Sequence, residues 1–116
     1  MVSGASDYVP ERGDIVWLDF APQAGREQSG RRPAVVLSPA SYNGKVNLGL
    51  FCPVTSRTKN YPFELPLPDG LPISGVVLCD QVRSLDWRSR NAGYAATVPV
   101  EIMETIRDRI TALLND

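Results

Sequence analysis

Histidine is absent from the 116-residue chain, and cysteine occurs only twice. Without an imidazole there is no Ser-His-Asp or Cys-His nucleophilic pair, and most zinc sites lose a usual ligand. Acid–base chemistry would therefore have to use other side chains. Cys52 and Cys79 both lie in apolar stretches, so we expect two buried thiols rather than a structural disulfide.

Long hydrophobic runs and glycine-rich phosphate loops are also missing. No apolar run is long enough to span a bilayer, and the first residues lack the basic-then-apolar order of a signal peptide. We therefore expect a cytosolic protein with no membrane partner. Without a glycine-rich loop to hold phosphates, a nucleotide cofactor is not expected, and we expect no metal or other cofactor either.

The net charge of −1 hides an uneven distribution of charge along the chain. Residues 21–60 contain six basic residues and one acid, which gives this stretch a charge of +5 and leaves −6 for the rest. A local positive surface can hold an anion that the average charge would repel. Solubility alone would also explain charged loops, so the charge pattern leaves both interpretations open.

Short runs of strand-favouring residues separated by turn signals predict a small, mainly β domain. We expect the strands at residues 15–20, 34–37, 46–54, 61–65, 75–79 and 94–97. Asn43-Gly44 predicts a turn that joins the second strand to the third. Residues 80–87 are expected to be irregular, with a helical turn. Trp17 and Phe20 are expected in the core, whereas Trp87 is either core or interface.

The apolar period changes after Pro99 from two to between three and four residues, which predicts an amphipathic C-terminal helix. Its apolar positions are Ile102, Met103, Ile106, Ile110, Leu113 and Leu114. One domain of 116 residues with several strands and one closing helix indicates a small antiparallel sheet or barrel. Residues 1–7 are expected to be flexible.

Five motifs occur in an order that identifies a family. They are GDIVWLDF at residue 13, EQSGRRPAVVLS at 27, PVTS at 53, YPFE at 61 and DQVRS at 80. Together they resemble the MazF/PemK endoribonuclease toxins of bacterial toxin–antitoxin pairs. The resemblance implies an SH3-like antiparallel barrel with a C-terminal α-helix, a homodimer, and metal-independent cleavage of single-stranded RNA that leaves 2′,3′-cyclic phosphate and 5′-hydroxyl ends.

The resemblance implies that Arg32 and Thr55 are catalytic and that Glu27 contributes. Formation of a cyclic phosphate requires the ribose 2′-hydroxyl to attack the adjacent phosphorus, which needs neither histidine nor metal. The planar guanidinium of Arg32 suits two phosphoryl oxygens, and the Thr55 hydroxyl can fix a non-bridging oxygen. Glu27 could accept the 2′-hydroxyl proton or orient Arg32, and the sequence does not decide between these roles.

Further residues in the same loops are candidates for RNA binding. Basic side chains that would contact phosphates are Arg31, Arg57, Lys59, Arg83 and Arg88. Polar side chains that would contact bases or support the site are Gln28, Asn60, Tyr61, Asp80 and Gln81. The family also implies a MazE-like antitoxin, whose acidic, flexible tail would cover the positive surface.

Two alternatives use a similar fold without catalysis. Gyrase poisons of the CcdB type act through a Trp-Gly-Ile C-terminus, but this sequence ends Leu114-Asn115-Asp116. An SH3-like peptide-binding module needs an exposed aromatic groove, but the few aromatic residues here lie mostly within predicted strands. The endoribonuclease interpretation is therefore preferred.

Overall fold

A computed structural model describes residues 7–20 and 30–115 of the chain. The described elements are β1 (Asp14–Asp19), β2 (Arg31–Val36), α1 (Ala40–Val46), β3 (Gly49–Thr55), β4 (Glu64–Pro66), β5 (Val76–Leu78), β6 (Arg83–Leu85), β7 (Gly93–Thr97) and α2 (Val100–Asn115). Nearly all of the predicted flexible segment 1–7 lies outside the described residues.

The strands form one antiparallel sheet in the order β4-β5-β3-β2-β1-β7, with β6 also paired to β3. β2 is central, because it pairs with β1 through Ile15↔Val35 and with β3 through Val35↔Cys52. The evenly apolar residues 34–37 suit such a central strand. The prediction of a mainly β fold with a terminal helix is confirmed, although the path of ladders among the described residues is open between β4 and β7.

The sheet is buried on both faces by two separate apolar clusters. On one face, here called the helix face, Ile15, Val35 and Cys52 pack with Ile106 of α2. The other face, here called the opposite face, is covered by a second cluster. Its buried members are Val16, Leu18, Ala34, Val36, Phe51, Leu85 and Trp87. Because alternate residues of β1 and β2 enter different clusters, a shift of one residue in register would exchange the two cores.

Several predictions from the sequence are confirmed by this packing. Cys52 and Cys79 are buried and unpaired, and burial raises the pKa of the Cys52 thiol to about 12. The C-terminal helix forms and buries Ile106, but the predicted apolar stripe does not extend to Leu113 and Leu114, which are exposed. No helix in residues 7–20 and 30–115 is long and apolar enough to cross a membrane.

The predicted turn at Asn43-Gly44 is wrong, because both residues lie inside α1. Asn43 is fully buried, and its side chain donates to the carbonyl oxygens of Pro10 (2.8 Å) and Ser38 (3.0 Å) while accepting from the Ser38 hydroxyl (2.6 Å). The chain reverses instead at Asn47, whose φ of 60° ends the helix in the left-handed region. β3 therefore begins at Gly49 rather than at Val46.

Tertiary packing corrects one further prediction and decides between two alternatives for another residue. The stretch 80–87 contains the short strand β6, in which Arg83 lies opposite Phe51 and Leu85 opposite Gly49. Trp87 is buried, and its indole N–H donates to the Asn43 carbonyl oxygen at 3.1 Å. Burial of Leu85 and Trp87 in the second cluster explains why this polar sequence is ordered, and it answers the question about Trp87 in favour of the core.

We predict that Asn43→Ala lowers the free energy of unfolding by about 2–4 kcal/mol, because it leaves the Pro10 and Ser38 groups buried without partners. Chemical denaturation measures this change. Ser41→Ala, on the exposed side of the same helix, is the matched control and should change stability by less than about 0.5 kcal/mol. Equal losses in the two variants would contradict the role of Asn43.

Candidate active site

Arg32 and Thr55 lie on neighbouring strands at the end of the sheet. The β2–β3 ladder stops at Ala34↔Pro53, and continuing its register by two residues places Arg32 opposite Thr55. Alternation along the strands puts both side chains on the opposite face, with Ala34 and Phe51. The two residues that the resemblance assigns to catalysis therefore lie at the ends of neighbouring strands, beyond the last paired residues.

Two prolines mark the place where this ladder stops. Pro33 precedes Ala34 in β2, and Pro53 is its partner in β3. Neither proline has a backbone N–H, so both remove donors from the stretch that leads to Arg32 and Thr55. The strand ends can therefore separate, which leaves room between them.

A cavity of about 620 Å³ occupies this edge of the sheet. It is lined by Trp17, Arg32, Pro33, Val54, Thr55, Ser56, Arg57, Pro72, Ile73 and Ser74. Arg32 is exposed, and no described carboxylate forms an ion pair with it. Its guanidinium donors are therefore available to an anion that enters the cavity.

The hydroxyl of Thr55 is oriented by the backbone that follows it. Its Oγ1 accepts the N–H of Arg57 at 3.1 Å, so the hydroxyl proton remains available for donation. Gly75, with φ of +128°, passes directly against this strand end. A Cβ at Gly75 would lie 2.5 Å from the Thr55 carbonyl oxygen, so only glycine allows this approach.

A second cavity of about 570 Å³ adjoins the first and shares Thr55 and Arg57 with it. Its other lining residues are Lys59, Asn60, Tyr61, Pro62, Glu64, Leu78, Asp80 and Gln81. Six of the predicted RNA-binding residues are in this cavity: Arg57, Lys59, Asn60, Tyr61, Asp80 and Gln81. They come from the loop after β3 and the loop after β5, which the sequence alone could not place side by side.

Glu64 holds the loop of residues 58–61, although nothing in the sequence analysis singled it out. Its carboxylate accepts the Thr58 hydroxyl at 2.8 Å and the Lys59 backbone N–H at 3.0 and 3.1 Å. Burial favours the neutral acid, but hydrogen bonds from Lys59, Thr58 and Tyr61 outweigh it and lower the pKa of Glu64. The sequence signal for this role was an acidic residue that follows a polar loop, because the backbone N–H groups of such a loop need acceptors.

Asp80 and Tyr61 form the wall of the second cavity. The Tyr61 hydroxyl donates to Asp80 Oδ2 at 2.7 Å, and this hydrogen bond raises the pKa of Tyr61. Asp80 Oδ1 is buried and has no hydrogen-bond partner in the described part of the chain. The pair fixes Tyr61, whose ring is otherwise largely exposed, beside the loop that Glu64 organises.

Arg31 lies on the other side of β2 from Arg32 and does not line either cavity. It donates to Asp19 Oδ1 (2.9 Å) and to the carbonyl oxygens of Trp17 (3.2 Å) and Asn91 (2.8 Å). Hydrogen bonds from Asn91 and Arg31 lower the pKa of Asp19. Arg31 therefore joins the end of β1 to the loop before β7, a position that does not support its predicted contact with phosphate.

The remaining candidates lie in three other places. Arg88 stacks on the Trp87 ring at 4.5 Å and donates to Asn47 at 3.0 Å, beside α1 rather than at the cavities. Arg83 stands on β6, on the opposite face of the sheet. Glu27 and Gln28 lie outside the described residues, so their predicted roles stay predictions.

Trp17 was expected in the core, but it is 36% exposed and lines the first cavity. Its neighbours Val16 and Leu18 are buried in the second cluster, so Trp17 points to the helix face, where β1 extends past the packed region. Strand-favouring aromatics predict a strand without indicating which end of it is covered.

Among the described residues, no group of three acidic or cysteine side chains could hold a metal ion.

Comparison with known proteins identifies the family. A family model described as PemK-like, MazF-like toxin of type II toxin-antitoxin system matches residues 11–114. The chain belongs to this toxin family. It is 48% identical over 109 residues to the endoribonuclease toxin MazF of Escherichia coli K12, which covers 94% of this chain and 97% of that protein. Identity to the endoribonuclease PemK of Escherichia coli is 37%, over 90% and 81% of the two chains.

Solved structures of the toxin family agree with this fold. A MazE-MazF complex from Deinococcus radiodurans superposes with a TM-score of 0.90 at 58% identity, covering 94% of this chain and 98% of that one. A mycobacterial endoribonuclease bound to its cognate antitoxin gives a TM-score of 0.71 at 19% identity, over 92% and 94% of the two chains. The second match shows only that the fold persists at low identity.

We predict that Gly75→Ala displaces Thr55 and lowers the free energy of unfolding by about 1–3 kcal/mol more than Gly70→Ala. Gly70 is the matched control because it also has a positive φ (+97°), yet a Cβ there meets nothing within 4 Å. Chemical denaturation gives the two stabilities, and the NMR resonance of the Thr55 methyl should shift only in Gly75→Ala. An unchanged methyl resonance in both variants would disprove the contact.

We also predict that Glu64→Gln destabilises the protein at neutral pH, because an amide places N–H groups against N–H donors. The folded pKa of Glu64 is lowered, so its contribution is present above the unfolded pKa of about 4.3 and is lost as pH falls through the folded value. Denaturation curves at pH 7 and pH 3.5 should show the stability difference narrowing in acid. Exposed Glu104→Gln on α2 is the control, and a difference independent of pH would refute the prediction.

Proposed function

We propose that this toxin is a metal-independent endoribonuclease of the cytosol that cuts single-stranded RNA. The observation that carries the proposal is the position of Arg32 and Thr55 at the ends of β2 and β3, in the lining of one cavity, next to six further candidate RNA contacts. The curated relatives described above are named endoribonucleases, which favours catalysis over gyrase or peptide binding.

In the proposed reaction the ribose 2′-hydroxyl loses its proton and attacks the adjacent phosphorus, while the 5′-oxygen leaves and takes up a proton. The products are a 2′,3′-cyclic phosphate and a 5′-hydroxyl. Negative charge increases on the non-bridging oxygens as the new bond forms. Arg32 stabilises these oxygens with two parallel N–H donors, and its cost of orientation is low because it lies on a strand that is anchored by the buried residues Ala34, Val35 and Val36.

Thr55 supplies the second donor to the phosphate. Because its oxygen already accepts the Arg57 N–H, its proton can point to a non-bridging oxygen without losing the first hydrogen bond. A threonine held in this way needs no reorganisation when the charge develops, which is the condition for effective electrostatic catalysis. Glu27 completes the proposal as the proton acceptor or as the residue that orients Arg32, and mutation must separate these roles.

The second cavity is proposed to hold the nucleotides that flank the cut. Arg57 and Lys59 are exposed cations at its edge, suited to phosphates, whereas Asn60, Tyr61 and Gln81 present polar groups and a ring suited to unstacked bases. The same positive surface is proposed to receive the acidic tail of a MazE-like antitoxin in a complex with a toxin homodimer. The MazE-MazF complexes from Deinococcus radiodurans support such a partner.

The test is cleavage of a long single-stranded RNA in excess EDTA. Wild-type protein should cut at a short recurring sequence and leave cyclic-phosphate ends, which end mapping detects. Arg32→Ala and Thr55→Val should each lower kcat/KM by about 10²-fold or more, because each removes a donor used in the transition state. Thr55→Ser should retain most of the activity, since it keeps the hydroxyl.

Arg107→Ala is the matched control, because Arg107 is an exposed arginine on α2 outside both cavities. It should cleave as the wild type does. Activity that requires a divalent ion, or folded Arg32→Ala protein that cuts at the wild-type rate, would overturn the proposed mechanism. Intact RNA after incubation with wild-type protein would instead favour a binding function.

A further inference from the structure

Phe20 extends the β1–β2 ladder beyond the last assigned strand residue. Its backbone N–H donates to the Gly30 carbonyl oxygen at 3.4 Å, which continues the register of Leu18↔Arg32. Phe20 is two residues from Leu18, so both side chains lie on the opposite face, and Phe20 packs half-buried against the second cluster. Its ring is thus close to Arg32 in the sheet and on the same side.

Two guanidinium groups lie over this ring. The Cζ atoms of Arg83 and Arg90 are each 5.7 Å from the ring centroid of Phe20. Arg90 is held further by donation from Nη1 to the Asp19 carbonyl oxygen at 3.1 Å. Cations at this distance are attracted to the electron-rich face of the ring, which restrains the guanidinium planes.

Neither Arg83 nor Arg90 forms an ion pair with a carboxylate of the described residues. Within residues 7–20 and 30–115 the ion pair of Arg31 with Asp19 is the only one formed. The aromatic ring stacks against the plane of a guanidinium and accepts none of its N–H groups. Most N–H donors of Arg83 and Arg90 therefore have no acceptor among the described residues. Repulsion between two such cations is tolerated most easily where an anion binds.

The face of the sheet connects this pair to the proposed reaction centre. Arg83 is opposite Phe51 in the β3–β6 ladder, and Phe51 lies in the second cluster together with Ala34, which is two residues from Arg32. Arg32, Arg83 and the Phe20 ring therefore share one face of the sheet. Three guanidinium groups on one face suit a chain of phosphates better than a single phosphate.

We propose that Phe20 positions Arg83 and Arg90 as a second phosphate site, which holds an RNA phosphate adjacent to the one that is cut. This inference rests on the proposed endoribonuclease function and extends it to two residues, Phe20 and Arg90, outside the predicted site. Arg32 acts on the reacting phosphate, whereas the Phe20 site fixes the register of the backbone and thereby the bond presented to Arg32.

The test is the salt dependence of binding to a single-stranded 2′-O-methyl RNA that contains the cleaved sequence and cannot supply the attacking hydroxyl. Dissociation constants are measured between 50 and 300 mM KCl. Each lost phosphate contact should reduce the slope of log K against log salt by about 0.7. Arg83→Gln and Arg90→Gln should each show this loss, and Phe20→Leu should lose as much as either, although it removes no charge.

Two substitutions of Phe20 distinguish a role of its ring in positioning the arginines from a role in apolar packing alone. Phe20→Leu keeps an apolar side chain but has no ring face, whereas Phe20→Tyr keeps the ring and should restore the wild-type slope. In cleavage assays Phe20→Leu should raise KM more than it lowers kcat. Thermal unfolding of each variant establishes that it is folded, and Arg107→Gln, which removes a charge outside the site, should leave the slope unchanged.

The outcomes distinguish this inference from the function on which it rests. Wild-type protein that cuts RNA while Phe20→Leu retains the wild-type slope would overturn the second phosphate site and leave the endoribonuclease intact. A wild-type slope together with altered cleavage sequence in Phe20→Leu would also overturn it, because the ring would then contact a base. Wild-type protein that does not bind or cut RNA would overturn both proposals.

Discussion

The pairing of β2 with β1 and β3 is the constraint on which the rest of the molecule depends. Val35 and Val36 are buried on different faces of this central strand, so both apolar clusters fix its register at once. A slip of one residue would exchange the residues of the two cores and would also turn Arg32 away from Thr55. The same burial that stabilises the fold therefore also sets the face on which Arg32 and Thr55 lie.

Strand alternation also explains how two adjacent arginines differ in surroundings. Arg31 donates to Asp19, Trp17 and Asn91 and so joins parts of the fold, whereas Arg32 lines the first cavity. Residue type alone could not separate these cases, because both arginines look equally suited to phosphate in the sequence. The described hydrogen-bond partners of each side chain distinguish them, since three acceptors engage Arg31 whereas Arg32 lines a cavity.

Much of the sheet could be predicted from the sequence, because apolar runs such as residues 34–37 report burial directly. The connections were harder, because their structure depends on distant partners. The sequence predicts a turn at Asn43, and only its hydrogen bonds to Pro10 and Ser38 show that it is a buried residue. The sequence predicts that Phe20 is in the core, and the structure adds that Arg83 and Arg90 lie over its ring. Arg32 and Thr55 were identified from the family resemblance, and the structure adds that both line one cavity at the ends of β2 and β3.

The acidic side chains of the second cavity lie where a phosphate is proposed to bind, but they do not act as free carboxylates. Glu64 and Asp80 line the second cavity, where free carboxylates would repel phosphates. Glu64 instead directs its charge to the donors of residues 58–61, and Asp80 accepts the Tyr61 hydroxyl while its second oxygen is buried. Donors clustered around a carboxylate offset part of its field outside the cluster. An acidic chain can thus present a surface that attracts an anion, because its nearby carboxylates are used to shape the loops that carry the cations.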